Sequence, residues 1–432
     1  MPFLPDSVVS ECDRSRARWR RLLRLAVIDL RPLRHRDYRL LFAGQSVSFT
    51  GSMITYVALP YQVFQLTGSP LAVGLLGLAR LVPLLVTALV GGALADVHDR
   101  RRMVRVLEFA LATCSAALAL NASLGRPQLW LLYALAAVMT GLDGLQRPSL
   151  VALTPRLVEK DELPAASALS SLVGSAGMIG GFALGGLLIA TVGLPATYGV
   201  DVASFAVCIL ALSRIRATPP PPEAAPLSLH AIAEGLRYAW RRPELLGTYI
   251  IDIVAMTFGM PTALMPAIAA THGGPRALGL LYAAPAVGSL LVSATSGWTG
   301  RVRRHGLAIL AAAGSWGLAI TAFGVAGPLP LALALLAAAG AGDMISGLFR
   351  MTMWNQTIPD ELRGRLASVE MLSYVIGPLL GDVEAGAVAS AFGVQASVVS
   401  GGLLCMAGVV ALALALPAFR RYETSSSDPP PG

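Results

Sequence analysis

Charge is scarce in this chain. Only 13% of its 432 residues are Asp, Glu, Lys or Arg, 55% are hydrophobic, and the mean hydropathy is +0.65. That leaves too little polar material to coat a water-soluble globule of this size, so the expected solvent is a bilayer. The four cysteines, Cys12, Cys114, Cys208 and Cys405, form no Cys-x-x-Cys pair and fall mostly within apolar stretches, so neither disulfides nor a metal site is expected. By the apolar pattern the five histidines lie in loops or tails, which gives little support to a histidine proton relay in the bilayer. A Gly-x-x-x-x-Gly-Lys-Ser/Thr loop is absent, which argues against direct ATP hydrolysis. The polar loops hold no Ser/His/Asp or metal constellation, so the chain is not expected to be an enzyme or to carry a cofactor. No short apolar core with a small-residue cleavage site opens the chain; the first span is expected to direct insertion itself.

What the chain has is long apolar runs. A hydrocarbon core of about 30 Å takes roughly 20 apolar residues per helix, and twelve segments qualify: 40–66, 71–95, 103–123, 128–152, 165–190, 194–212, 245–270, 277–299, 305–326, 328–354, 366–391 and 393–417. They are long, unalternating and rich in Leu, Ala, Val and Gly, so helices fit and alternating strands do not. The expected fold is all-α, a polytopic membrane protein of twelve transmembrane helices in two pseudo-symmetric six-helix bundles. Small residues at helical spacing, Gly181–Gly185 and Gly273–Ala277, suit close helix contacts.

The basic residues set the topology. With both termini inside, the inner segments hold ten arginines before residue 40, four at 100–105, Arg156 and Lys160, five arginines between 214 and 242, and Arg301, Arg303, Arg304, Arg363, Arg365, Arg420 and Arg421. The outer loops hold Arg126 and Arg276. This asymmetry follows the positive-inside rule and places both termini in the cytoplasm, with the protein in the inner (cytoplasmic) membrane. The net charge of +8 then mostly reports orientation. The basic arm at 14–21 invites comparison with nucleic-acid binding, but it precedes a span and carries no recognition motif. Trp19, Leu22, Leu23 and Val27 recur at helical spacing, so the arm is expected to lie on anionic lipid.

The chain divides near its middle, where Pro219, Pro220, Pro221 and Pro222 favour an extended connection and Leu229, Ile232, Leu236 and Trp240 share a face of a surface helix. The expected organisation is a cytoplasmic basic arm (1–37), a first six-helix bundle (38–213), a linker with an interfacial helix (214–244), a second six-helix bundle (245–417) and a cytoplasmic tail (418–432). The halves echo each other. Asp161-Glu162-Leu163 matches Asp360-Glu361-Leu362, Gly180-Gly181 with Gly185 matches Gly377-Pro378 with Gly381, and 92–102 matches the degenerate run 297–304. Paired parallel repeats imply two bundles flanking a central site.

The run Gly92-x-Leu94-Ala95-Asp96-x-x-Asp99-Arg100-Arg101 is similar to the signature between spans 2 and 3 of the major facilitator superfamily. The chain resembles that superfamily over roughly 32–417. Pro-Leu-Arg-x-x-Asp-Tyr-Arg-Leu-Leu-Phe at 32–42 and the paired Asp-Glu-Leu turns resemble its bacterial branch of enterobactin-type siderophore exporters and macrolide efflux pumps. The resemblance implies that spans 1, 4, 7 and 10 line a cavity, that spans 2, 5, 8 and 11 rock against each other, and that Gly92, Asp96, Asp99, Arg100 and Arg101 form a conformational latch. Within that latch Asp96 would meet the start of span 11, where helix N-terminal partial charge favours an anion. Two departures weaken the carry-over of proton coupling: Ala137 stands where a span-4 arginine is expected, and Gly180-Gly181 replaces a Gly-Pro pair.

Ionisable residues inside spans are costly unless they face a cavity or a partner. Asp143 and Arg147 are four apart in span 4, Asp343 and Arg350 two turns apart in span 10, and Asp252 sits in span 7; these are the candidates for substrate or proton coupling. Arg80 is expected to seek Asp382 or Glu384, Glu370 and Glu108 to support a gate near cytoplasmic helix ends, and Asp201 to serve an outer helix contact. The expectation is therefore a monomeric secondary exporter of a partly apolar small molecule, with protons and membrane lipid as its other partners, no nucleic acid, and Asp143 as the first coupling carboxylate. An importer on the same fold and a non-transporting sensor or scaffold are the alternatives.

Overall fold

A computed structural model describes residues 29–97, 99–216, 237, 238 and 240–424, the side chains of 88–97, 360–365 and 367–373 excepted. The basic arm before residue 29, the proline tract and most of the linker helix lie outside the described residues. The described chain is helical throughout, without a strand. Helices α1 (Arg36–Thr67), α2 (Pro70–Val97), α3 (Arg100–Ser123) and α4 (Leu129–Leu153) are followed by α5 (Leu163–Ser213). The second half holds α6 (Pro243–Phe258), the short α7 (Met265–Thr271), α8 (Pro275–Ala294), α9 (His305–Gly324), α10 (Leu329–Thr357), α11 (Asp360–Phe392), α12 (Val394–Ala415) and a last turn, α13 (Pro417–Arg420).

Among the described residues ten helical segments are long and apolar enough to cross a membrane. One of them is the 51-residue α5, which Gly193 breaks with a φ of 79°, between the two spans expected at 165–190 and 194–212. Gly393 (φ 93°) makes the equivalent break between α11 and α12. An L-residue with a side chain rarely adopts that conformation, so the paired glycines carry the internal repeat into the backbone. With α1 added, 32 residues long, the pattern is consistent with twelve passes. Phe109, Leu120, Trp130, Val151, Phe392 and Leu414 are exposed, an arrangement costly in water and ordinary against lipid.

Two details depart from the sequence pattern. The seventh expected span is broken: α6 ends at Phe258, Gly259–Pro261 are not α-helical, and a short 3-10 turn leads into α7. Gly273 belongs to no helix contact, having a φ of 102° and open space around it; the small residue that packs there is Gly279 of α8.

The largest buried cluster joins both halves at the end away from the arginine-rich loops. Val57, Val63, Leu76 and Phe182 from the first half meet Leu264, Leu278, Leu281, Tyr282 and Ala385 from the second. Glycines bring the backbones together here: a Cβ on Gly74 or Gly77 of α2 would overlap carbonyl oxygens of Asp382 or Leu379 in α11, and one on Gly186 of α5 would overlap Pro275 and Gly279. At the arginine-rich end the apolar clusters stay within one half each: Leu41, Val104, Leu153 and Leu212 in the first, Ile309, Phe349, Met353 and Phe419 in the second. The halves are thus sealed at one end, and among the described residues no apolar cluster seals the other.

Candidate functional site: an ionisable cavity between the halves

Behind the sealed end lies a cavity of about 280 Å³ whose wall includes Tyr56 of α1, Arg80 of α2, Asp143 and Arg147 of α4, Thr262 beside α7 and Asp382 of α11. A contiguous space of about 330 Å³ runs toward the arginine-rich end and adds Glu108, Gln45, Ser48 and Gln146, while sharing Asp143 and Arg147. The helical spacing of four puts Asp143 and Arg147 on one face, and both are exposed into this space. They are not joined to each other by an ion pair among the described residues. Arg80 likewise forms no ion pair with Asp382 or Glu384; its guanidinium lies 5.7 Å from the centre of the Tyr56 ring, a cation–π distance. Tyr56 packs in turn on Phe182 and Tyr282 at 5.6 and 5.8 Å between ring centres.

Asp382 instead serves the break in span 7, accepting the backbone N–H of Ala263 at 3.0 Å. The Tyr282 hydroxyl donates to Thr262 O at 3.1 Å and Trp316 Nε1 to Gly259 O at 2.9 Å, so the polar backbone freed by the break is met by side chains. Irregular backbone at membrane depth is tolerated only where protein or a water-lined cavity satisfies it.

On the second half, Arg350 (3% exposed) donates to Asp252 (2%) and lies 3.8 Å from Asp343. Its guanidinium also sits 5.5 Å from the Tyr374 ring, and its Nε has no partner. The span-10 pair expected from spacing is therefore a triad, in which one permanently charged guanidinium serves carboxylates from α6 and α10.

On the first half, Glu108, Asp201 and Glu162 are fully buried; Glu162 pairs with Arg34 and His35, both at 2.8 Å, near the arginine-rich end. Glu108 Oε1 accepts from Gln45 Nε2 at 2.9 Å and Gln146 Nε2 at 2.7 Å, and its Oε2 from Ser48 Oγ at 2.8 Å. Asp201 accepts from the hydroxyls of Thr55 and Ser115, both at 2.6 Å, and of Ser204 at 3.3 Å. Asp201 thus joins α5 to α1 and α3, whereas Glu108 lies two turns inside α3, in a polar network and not at a helix end. Gln45, Ser48 and Thr55 share a face of α1, a polar stripe that was the available signal for these networks.

A family profile described as transmembrane secretion effector, within the major facilitator superfamily, matches residues 28–432. The chain belongs to that family. It is 29% identical over 399 residues to the enterobactin exporter EntS of Citrobacter koseri, covering 92% of this chain and 95% of the relative. It is also 29% identical over 390 residues to EntS of Shigella boydii serotype 18, covering 90% and 94%. The fold matches the crystal structure of the nucleoside transporter NupG with a TM-score of 0.68 at 14% identity, over 89% of this chain and 98% of that one. It matches a bacterial homologue of the iron transporter ferroportin in an inward-facing state with 0.67 at 16% identity, over 90% and 99%. This secretion-effector transporter is accordingly a multi-pass membrane protein with the all-α major facilitator fold.

In this transporter the signature between spans 2 and 3 is described in part. Gly92 and Asp96 fall on the end of α2, where only the backbone is described, and the start of α11 is equally without described side chains. Asp99 caps α3, accepting the N–H of Arg102 at 3.0 Å. Arg100 donates to Ala152 O at 3.2 Å, and Arg101 to Leu212 O and Ser213 O at 2.9 and 3.0 Å. The two arginines therefore reach the last carbonyls of α4 and α5, where the helix dipole favours a cation. Of the histidines, His305 is the first residue of α9 and is buried at 4%, inside a helix and not in a loop.

Proposed function

We propose that this protein exports a small molecule, of siderophore, drug or natural-product character, across the cytoplasmic membrane by alternating access coupled to proton influx. The observation that carries the reading is an ionisable cavity between the halves, with Asp143 and Arg147 exposed into it behind an apolar seal at one end. A charge pair left unjoined in a membrane interior is available to a solute, and the similarity to enterobactin exporters supports the outward direction. Asp143 is the first carboxylate to exchange a proton with the cavity, Arg147 and Arg80 offer cationic contacts to an acidic or aromatic substrate, and the Asp252–Arg350–Asp343 triad holds α6 to α10. Gly92, Asp96, Asp99, Arg100 and Arg101 act as the latch at the arginine-rich end, which faces the cytoplasm with both termini. The transporter works as a monomer in contact with lipid. One proton moving down about 100 mV supplies about 2.3 kcal/mol, enough for a roughly fifty-fold substrate gradient.

The test is to identify what accumulates inside cells lacking the protein and to offer that compound to everted vesicles. Uptake driven by an acidic vesicle lumen supports export by proton antiport. Uptake that ignores the pH gradient overturns the coupling, and uptake only by right-side-out vesicles overturns the direction.

A further inference from the structure

The buried carboxylates are held by partners of different chemistry: Glu162 by Arg34 and His35 and Asp252 by Arg350, but Glu108 and Asp201 by neutral side chains. Arg350 stays charged at any accessible pH and has donors only, so it favours Asp252 and Asp343 as carboxylates and cannot accept a proton from either as an acid. Glu108, 1% exposed, has amides and a hydroxyl as its hydrogen-bond partners: Gln45 and Gln146 at Oε1, Ser48 at Oε2. All three partners are amphoteric. A serine hydroxyl rotates to accept, and a glutamine amide that flips presents an oxygen, so the same shell can bond a carboxylate by donating or a carboxylic acid by accepting its proton. Such a shell can accept the acid's proton as well as donate to the carboxylate, whereas a guanidinium can only donate.

Glu108 is also placed for exchange. It forms part of the wall of the larger space that Asp143 and Arg147 line, so a proton from the cavity reaches it without crossing apolar packing. Asp201, held by hydroxyls alone, is 0% exposed and lines neither of the two spaces. The titratable and charged groups facing Glu108 are Asp143 and Arg147 from α4 and Asp201 and Cys208 from α5; α1 contributes neutral Gln45 and Ser48. Among the described residues Arg147 is the one cation lining that space, and it makes no ion pair with Glu108.

We propose that Glu108 is a second proton-exchanging carboxyl of the transport cycle, lying behind Asp143 and taking its proton from, and returning it to, the cavity. Proton uptake converts the carboxylate to the acid as the Ser48 hydroxyl turns from donor to acceptor; release reverses both. The inference rests on the proton-coupled reading above.

Infrared difference spectroscopy of the purified protein in nanodiscs, titrated over pH, reads protonated carboxyl groups directly and needs no substrate. The expected result is a titrating carboxyl component that is lost in Glu108→Gln, returns at a shifted frequency in Glu108→Asp, and persists in Asp143→Asn, which removes a different component. Persistence of every component in Glu108→Gln, with wild-type elution and helicity, overturns the proposal. If Glu108→Gln does not fold, Glu108→Asp decides alone: an unshifted spectrum overturns the assignment. A wild-type spectrum with titrating components but vesicle transport indifferent to the pH gradient would instead overturn the coupling reading, so the two failures are separable.

Discussion

The Asp382 carboxylate accepts the backbone N–H of Ala263 at 3.0 Å, tying α11 to the break in the seventh span. The same residue's backbone carbonyl lies against Gly74 of α2, so one position supports both the discontinuous helix and the closed seam between the halves. Asp382→Ala leaves the Ala263 N–H unmet in a setting without bulk water, a loss of about 1–3 kcal/mol. Thermal unfolding in detergent should show a clearly lowered midpoint for Asp382→Ala and a smaller drop for Asp382→Asn, whose amide oxygen still accepts; equal drops would refute the assignment.

Arg350 lies between two carboxylates, one of them as buried as itself. Removing the guanidinium alone, as in Arg350→Met, takes the cation away from buried Asp252 and should cost about 3–5 kcal/mol. Combining it with Asp252→Leu should recover much of the loss. Fluorescence-detected size exclusion after heating distinguishes the cases: a double variant no better than Arg350→Met would show that the pair is not what holds α6 to α10.

The seam at the sealed end has no room for a side chain at Gly186. Gly186→Val should therefore push α5 away from α8 and favour the state open at that end. A cysteine at Val73, which is 2% exposed in the sealed arrangement, should react with a membrane-impermeant maleimide several-fold faster in the Gly186→Val background. Unchanged labelling would mean that the glycine contact does not control closure.

Asp143 stands in the cavity without a joined cation. Asp143→Asn should keep downhill substrate movement while losing most of the pH-driven accumulation, up to about fifty-fold if one proton is carried across about 100 mV. Normal transport by this variant over a full pH series would exclude Asp143 from coupling.

The apolar runs located the spans because hydrocarbon demands long uninterrupted segments, and the observed helix limits differ from the expected ones mostly by a few residues at their ends. Spacing alone suggested Asp343 with Arg350, since residues two turns apart share a helix face. It could not reveal Asp252 as the closer partner, because that contact joins α6 to α10. Glu108 looked like a residue near a helix end until Gln45 and Gln146, distant in the chain, were brought against it. The break at Gly259–Pro261 was hidden by the apolar composition on both sides of it.

The amino-acid order by itself determined solvent, helix content, internal repeat and superfamily, because hydropathy, charge placement and short signatures act locally along a chain. Which carboxylate meets a guanidinium, which meets only amides and hydroxyls, and which end of the molecule is sealed were decided by tertiary structure. Each depends on distances of a few ångströms between helices remote in sequence, and hydrogen bonds and ion pairs fall away steeply beyond that range.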